Sequence, residues 1–245
     1  MVTFTFFTAL LFAAVHLFAG KLRFLDQLPR SRWLSAAGGV SVAYVFLHLL
    51  PELSERQHAL GEDLLFVERH VYTLALVGLA VFYGLERVVA SSREEAYKPD
   101  NAEEEVSQGA TNQGAFWLST LSFALYNLII GYLLLSAEAD NLTGFVYYAT
   151  ALALHFVVND YGLRHDHQQR YHRVGRFVLA AAVLVGWGLG RLISIPDLWV
   201  TDLLAFLSGG VILNVLKEEL PEERESSFWA FSLGALGYAG LLLLS

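Results

Sequence analysis

The sequence predicts an all-α fold, a polytopic membrane protein of eight transmembrane helices, on three observations. The chain of 245 residues is 55% hydrophobic and only 16% charged, with a mean hydropathy of +0.46. Its apolar residues fall in blocks of about 20, the length that crosses a hydrocarbon core of roughly 30 Å. Basic residues are abundant in every second connection and scarce in the others, the asymmetry that orients helices in a bilayer. Strands of a membrane barrel would be half as long and alternate in polarity, which none of these blocks does.

The first block, 2–19, has no basic region before it and carries Lys21 and Arg23 after it, so it reads as a retained helix rather than a cleaved signal. Blocks 34–52 and 71–90 follow. The connection 91–114 holds Glu94, Glu95, Asp100, Glu103, Glu104 and Glu105 among Asn, Gln, Ser and Gly, the composition of a disordered acidic loop. Blocks 115–136 and 143–162 form a central pair, and 175–193, 198–219 and 228–244 complete a single domain over 1–245. The odd-numbered connections hold 13 of the 16 Lys and Arg residues and the even-numbered ones only Arg56, Arg69 and Arg191. That bias puts the odd connections in the cytoplasm and both termini outside it, in a plasma or inner membrane.

Composition also excludes classes. Cysteine is absent, which removes disulfides, thiolate metal sites and cysteine nucleophiles. A net charge of −8, with no basic stripe interleaved with aromatics, excludes nucleic acid as a partner. Histidines and carboxylates remain as ligands.

The stretch 151–162, A-L-A-L-H-F-V-V-N-D-Y-G, places His155, Asn159 and Asp160 inside a membrane-length apolar run. A carboxylate there costs roughly 2.5–3.5 kcal/mol on insertion scales, so such residues face a protein interior or a water-filled path. Hydrogen bonding to a neighbouring helix explains a lone His or Asn equally well. At 1.5 Å per residue, Asn127 and His155 lie about 14 and 18 Å from the outer ends of their helices, at similar depth. His155 and Asn159, four apart, share a helix face, whereas Asp160 is turned away. Asn127, His155 and Asn159 are thus expected to form one site, with Asp160 supplying charge one step nearer the cytoplasm. His48 and Glu52 share a face at the outer mouth, and Glu218, Glu219 and Glu222 stand at the inner one. The tract after the fifth helix, with His165, Asp166, His167 and His172, suits either a loosely held divalent ion or anionic lipid.

The second helix ends G-G-V-S-V-A-Y-V-F-L-H-L-L-P-E at Glu52 and the seventh S-G-G-V-I-L-N-V-L-K-E-E-L-P-E at Glu222. Aligned on L-P-E, His48 falls opposite Glu218. The two helices cross in opposite senses, the mark of an inverted repeat, grouped as three helices, a central pair and three more.

H-L-L-P-E at His48 to Glu52, Asn127 with Gly131, His155, and E-E-L-P-E ending at Glu222 resemble the ZIP family of divalent-metal transporters over nearly the whole chain. The family carries H-N-x-x-(D/E)-G in the fourth helix and H-E-x-P-H-E in the fifth, which build a two-metal centre. The corresponding stretches read Y-N-L-I-I-G and H-F-V-V-N-D, with Tyr126, Ile130, Phe156 and Asn159 in ligand positions and Val158 in place of proline. The resemblance implies inward movement of a divalent cation, zinc by family precedent, by alternating access through a reduced site of His155, Asn159, Asn127 and Asp160, with His48, Glu52 and Glu218 at the mouths. The cation is then substrate, no prosthetic group is implied, and the chain is not an enzyme. The second reading is a ZIP-fold membrane protein that does not transport and has a binding or regulatory role, and the substitutions at Tyr126, Ile130, Phe156 and Asn159 favour it directly. An intramembrane metal hydrolase using His155, His165, His167 and Asp160 stands behind both. The partners expected are the bilayer, a divalent ion and a second copy of the chain as a homodimer.

Overall fold

The computed structural model describes residues 2–21, 30–60, 69–96, 104–135, 142–216 and 227–243. Among the described residues there are eight helices and no strands. The first, α1, runs Val2–Phe18 and ends in a 3₁₀ turn, Ala19–Lys21. Helix α2 comprises Arg30–Tyr44, a π turn Val45–Leu49 and Leu50–Ala59. Then come α3, His70–Ala96; α4, Glu104–Leu133; and α5, Leu142–Asp166. Helix α6 comprises Gln168–Arg170, a second π turn Tyr171–Gly175 and Arg176–Leu192. Last are α7, Asp197–Asn214, and α8, Phe228–Leu243.

Five of these are long and apolar enough to cross a membrane: the α2, α3, α4, α6 and α7 stretches; α1 and α8 are shorter apolar helices. Large apolar side chains such as Phe7, Leu76, Leu121, Trp199 and Leu236 stand more than half exposed. A surface of that kind needs a bilayer or a partner to cover it. The chain is a helical membrane protein.

Helix bounds depart from expectation mainly at the ends. Within 91–114, the expected acidic loop, α3 continues to Ala96 and α4 begins at Glu104, and 97–103 lie outside the described residues. Glu, Gln and Ala are good helix formers. The π turn in α2 precedes Pro51, which has no N–H to return to the Leu47 carbonyl; the Leu50 N–H reaches back five residues to Val45 instead. Helix α5, with Val158 where the ZIP motif has proline, is an uninterrupted α-helix.

Packing is organised by three helix pairs: α2 with α8, α3 with α7, and α4 with α6. Each is set by two reciprocal glycines. Gly39 lies against the Phe231 carbonyl and Ala235 amide, while Gly234 lies against the Ala36 carbonyl. Gly209 lies against the Ala75 carbonyl and Leu79 amide, and Gly78 against the Phe206 carbonyl. Gly131 and Gly186 repeat the arrangement on the Val183 and Leu128 carbonyls. A Cβ at any of these six positions would fall on a backbone carbonyl, so glycine is what lets the backbones touch. Without a hydrophobic drive between helices in lipid, such close approach is where their packing energy comes from. Against this frame α1 packs on α6 and α5, and α5 also on α2. The central helix is thereby enclosed.

Candidate functional site

Four helices bring polar side chains together around α5. His16 of α1 is buried, and its Nδ1 lies 2.9 Å from Asp160 Oδ2 and its Nε2 2.9 Å from Asn127 Oδ1. The Asn127 Nδ2 donates to the Phe123 carbonyl at 2.7 Å, which turns its oxygen toward His16 and makes His16 Nε2 a donor. The other ring nitrogen faces a carboxyl oxygen, so one proton lies between His16 and Asp160. The pair is neutral as a unit, either as imidazolium with carboxylate or as imidazole with carboxylic acid. Such pairing is how a buried charge is tolerated. Tyr171 of α6 donates its hydroxyl to the His16 carbonyl at 3.1 Å, one of the carbonyls left unpaired at the end of α1.

A second group lies on the neighbouring face. His155 Nε2 is 3.0 Å from the Tyr126 hydroxyl and 3.1 Å from Asn159 Nδ2. Phe156 stands between the groups, its ring 4.8 Å from that of His16 and edge-on to Phe12 at 5.0 Å. Tyr126, Ile130 and Phe156 are fully buried in the main core cluster. Two acceptors keep no hydrogen-bond partner among the described residues, Asn159 Oδ1 and Asp160 Oδ1, and both residues are at least nine-tenths buried.

The structure therefore divides the expected site. His155 and Asn159 do meet, as their spacing requires. Asn127 is not with them; it joins Asp160 through His16, because Tyr126, one residue earlier on α4, takes the His155 nitrogen. His16 was not among the expected site residues. Its signal was present, a histidine in an 18-residue apolar block, where an ionisable group is costly enough to need a partner. Among the described residues no three His, Asp or Glu side chains converge as they would around an ion.

The mouth residues are dispersed. Glu52 is bound by Arg56 at 3.0 and 3.1 Å, while His48 stacks near Tyr44 and Tyr148. Glu218, with Glu219 and Glu222, lies outside the described residues. In the His-rich tract, His167 is buried edge-on to Phe116 and His172 lies against Gly20, so the two do not gather around His155. The side chains of His165 and Asp166 are outside the description.

Tyr126→Phe removes the hydroxyl at His155. We expect a loss of about 1 kcal/mol, the usual net worth of one buried hydrogen bond, read as a small fall in melting temperature in detergent. A loss several times larger would mean that the hydroxyl belongs to a wider network.

The fold and this enclosed polar centre define a helical membrane protein with ionisable groups between its helices. Comparison with protein-family models, characterised proteins and solved structures finds no match.

Proposed function

We propose that the protein is a ZIP-like membrane protein of eight crossings in a three-two-three inverted repeat, in which an internal hydrogen-bond network stands where the two-metal centre would be, and that it has a binding or regulatory role rather than moving a metal. The observation that carries this reading is the His16–Asp160 pair. Its carboxylate, the charge a divalent ion would need, is already neutralised, and Asn127 and His155 spend their ligand atoms on His16, Tyr126 and Asn159. Tyr126, Ile130 and Phe156, in family ligand positions, pack as core.

The glycine pairs support the inverted repeat. Aligning the L-P-E endings sets Gly39 opposite Gly209, and each touches a carbonyl and the amide four residues on in its partner, α8 or α3. The pair α2–α8 thus corresponds to the pair α7–α3. In this reading the odd connections face the cytoplasm, as the basic residues require.

Inward transport of a divalent cation, zinc by the family resemblance, is the second reading, and the unpartnered oxygens of Asn159 and Asp160 favour it. An ion bound there requires His16 to give up its proton or turn away. Calorimetric titration of zinc into detergent-solubilised protein separates the two readings. Under the first, binding is absent or is lost only on deletion of the acidic connection, while Tyr126→His with Ile130→Glu and Phe156→Glu gains it. Binding abolished by His155→Ala or Asp160→Asn, together with zinc uptake into vesicles that the same substitutions remove, would overturn the first reading and establish transport.

A further inference from the structure

The π turn Val45–Leu49 divides α2 into two parts that belong to different neighbours. Before it, Arg30–Tyr44 is fixed to α8 through Gly39 and Gly234, and Tyr44, Val45 and Leu49 lie in the main apolar core. Beyond it, Leu53 is buried in a separate apolar cluster with Val71 and Ala75 of α3 and Ala205 of α7, against which Leu50 and Leu60 pack. The Gln57 side-chain oxygen accepts the Val71 N–H at 2.9 Å. Helices α3 and α7 are joined in turn by Gly78 and Gly209, and His70 Nε2 lies 2.8 Å from Asp202 Oδ1 between them. One helix thus spans two glycine-fitted pairs, with its backbone defect between the attachments.

That defect is where α2 bends most cheaply. The Leu50 N–H goes to Val45 and Pro51 has none, so the Phe46 carbonyl has no donor four or five residues on. Bending there forfeits fewer backbone bonds than bending an intact turn, which is why helices yield at prolines and π turns. The device is written into the sequence. Val215 and Leu216, which the L-P-E alignment sets opposite Val45 and Phe46, are also in π geometry at the end of α7.

The part beyond the turn stands over a polar stack. The ring of Tyr44 lies 5.4 Å from that of His48 and 6.3 Å from that of Tyr148, and His48 and Tyr148 are 6.1 Å apart. Tyr44 and Tyr148 both feel the charge of Glu52, just past the turn, and Tyr44 also neighbours Tyr126, whose hydroxyl meets His155. Glu52 pairs with Arg56 inside the same segment, so that bridge travels with the segment and does not hold it down.

We propose that the π turn is a joint and that Leu50–Ala59 rides with α3 and α7 as a lid. Its displacement from the α2–α8 pair opens the Tyr44–His48–Tyr148 stack, and the approach to Tyr126 and His155, to solvent at that end of the bundle. The inference rests on packing and stands whether or not the His16–Asp160 centre takes a ligand.

The chain has no cysteine, so nitroxide labels can be placed on the full chain without removing a native thiol. Glu55→Cys in the lid is paired with Val81→Cys on α3 or with Leu241→Cys on α8, all three exposed, and distances are read by double electron–electron resonance in nanodiscs. We expect a narrow distribution for the α3 pair and one about twice as broad, or split, for the α8 pair. Pro51→Ala, which returns a donor to the helix, should narrow the α8 pair, and should slow alkylation of Tyr148→Cys by a membrane-impermeant maleimide several-fold. Equally narrow distributions would overturn the joint, and equally broad ones would make the segment a loose end rather than a lid on α3. A width that Pro51→Ala leaves unchanged would remove the π turn as the place of bending, and an unchanged alkylation rate would overturn the opening of the stack.

Discussion

Replacing His16 with alanine is expected to lower the melting temperature in detergent by about 10 °C, from a loss of roughly 3–5 kcal/mol when one partner of a buried pair is removed. The substitution removes the His16 partner of the buried Asp160 carboxyl, whose Oδ1 already has none, and strips the Asn127 oxygen of its donor. Asp160→Ala should cost a similar amount. The informative variant is His16→Ala with Asp160→Ala, because removing both partners removes the burial cost of the charge as well as the bond. The double variant should therefore be more stable than the sum of the single losses predicts. Strict additivity would mean that the two side chains do not interact in the folded protein, and the polar centre described above would have to be abandoned.

The second large effect is expected at the helix contacts. Gly39→Val and Gly209→Val each place side-chain atoms on a backbone carbonyl that cannot move without displacing its helix, Phe231 in α8 or Ala75 in α3. Overpacking of a fitted contact costs about 1–3 kcal/mol, and more where backbone must shift. Both variants should show strongly reduced yield of monodisperse protein on size exclusion, and similar losses at the two sites are expected from their matching geometry. Gly84→Ala and Gly237→Ala serve as comparisons, since nothing lies within 4 Å of a Cβ at either position. A helical Gly to Ala change in open space gains about 0.5–1 kcal/mol. If Gly39→Val behaves like Gly84→Ala, the α2–α8 contact does not limit stability.

Much of the architecture was legible because it follows from local rules. Apolar blocks of membrane length become helices wherever backbone polar groups cannot reach water. All eight expected blocks correspond to helices among the described residues. The i, i+4 relation of His155 and Asn159 also held, since it is a property of one helix. Boundaries were less legible. Helix α4 starts 11 residues before the apolar block because Glu, Gln and Ala continue a helix without any apolar signal.

What the sequence determined by itself is an all-helical membrane chain, its central polar stretch and the polar residues that had to be satisfied somewhere. What only the tertiary structure decided is which of them meet. Asp160 finds His16, 144 residues away, and not the neighbouring histidine on its own helix. Asn127 and Tyr126, adjacent in sequence, serve different histidines, because successive residues of a helix point about 100° apart and face different neighbours. Periodicity gives the direction of a side chain from its own axis. Which helix stands in that direction is set by the close packing of the whole bundle, through contacts such as Gly39 on Phe231 and Gly131 on Val183 that join segments far apart in the chain.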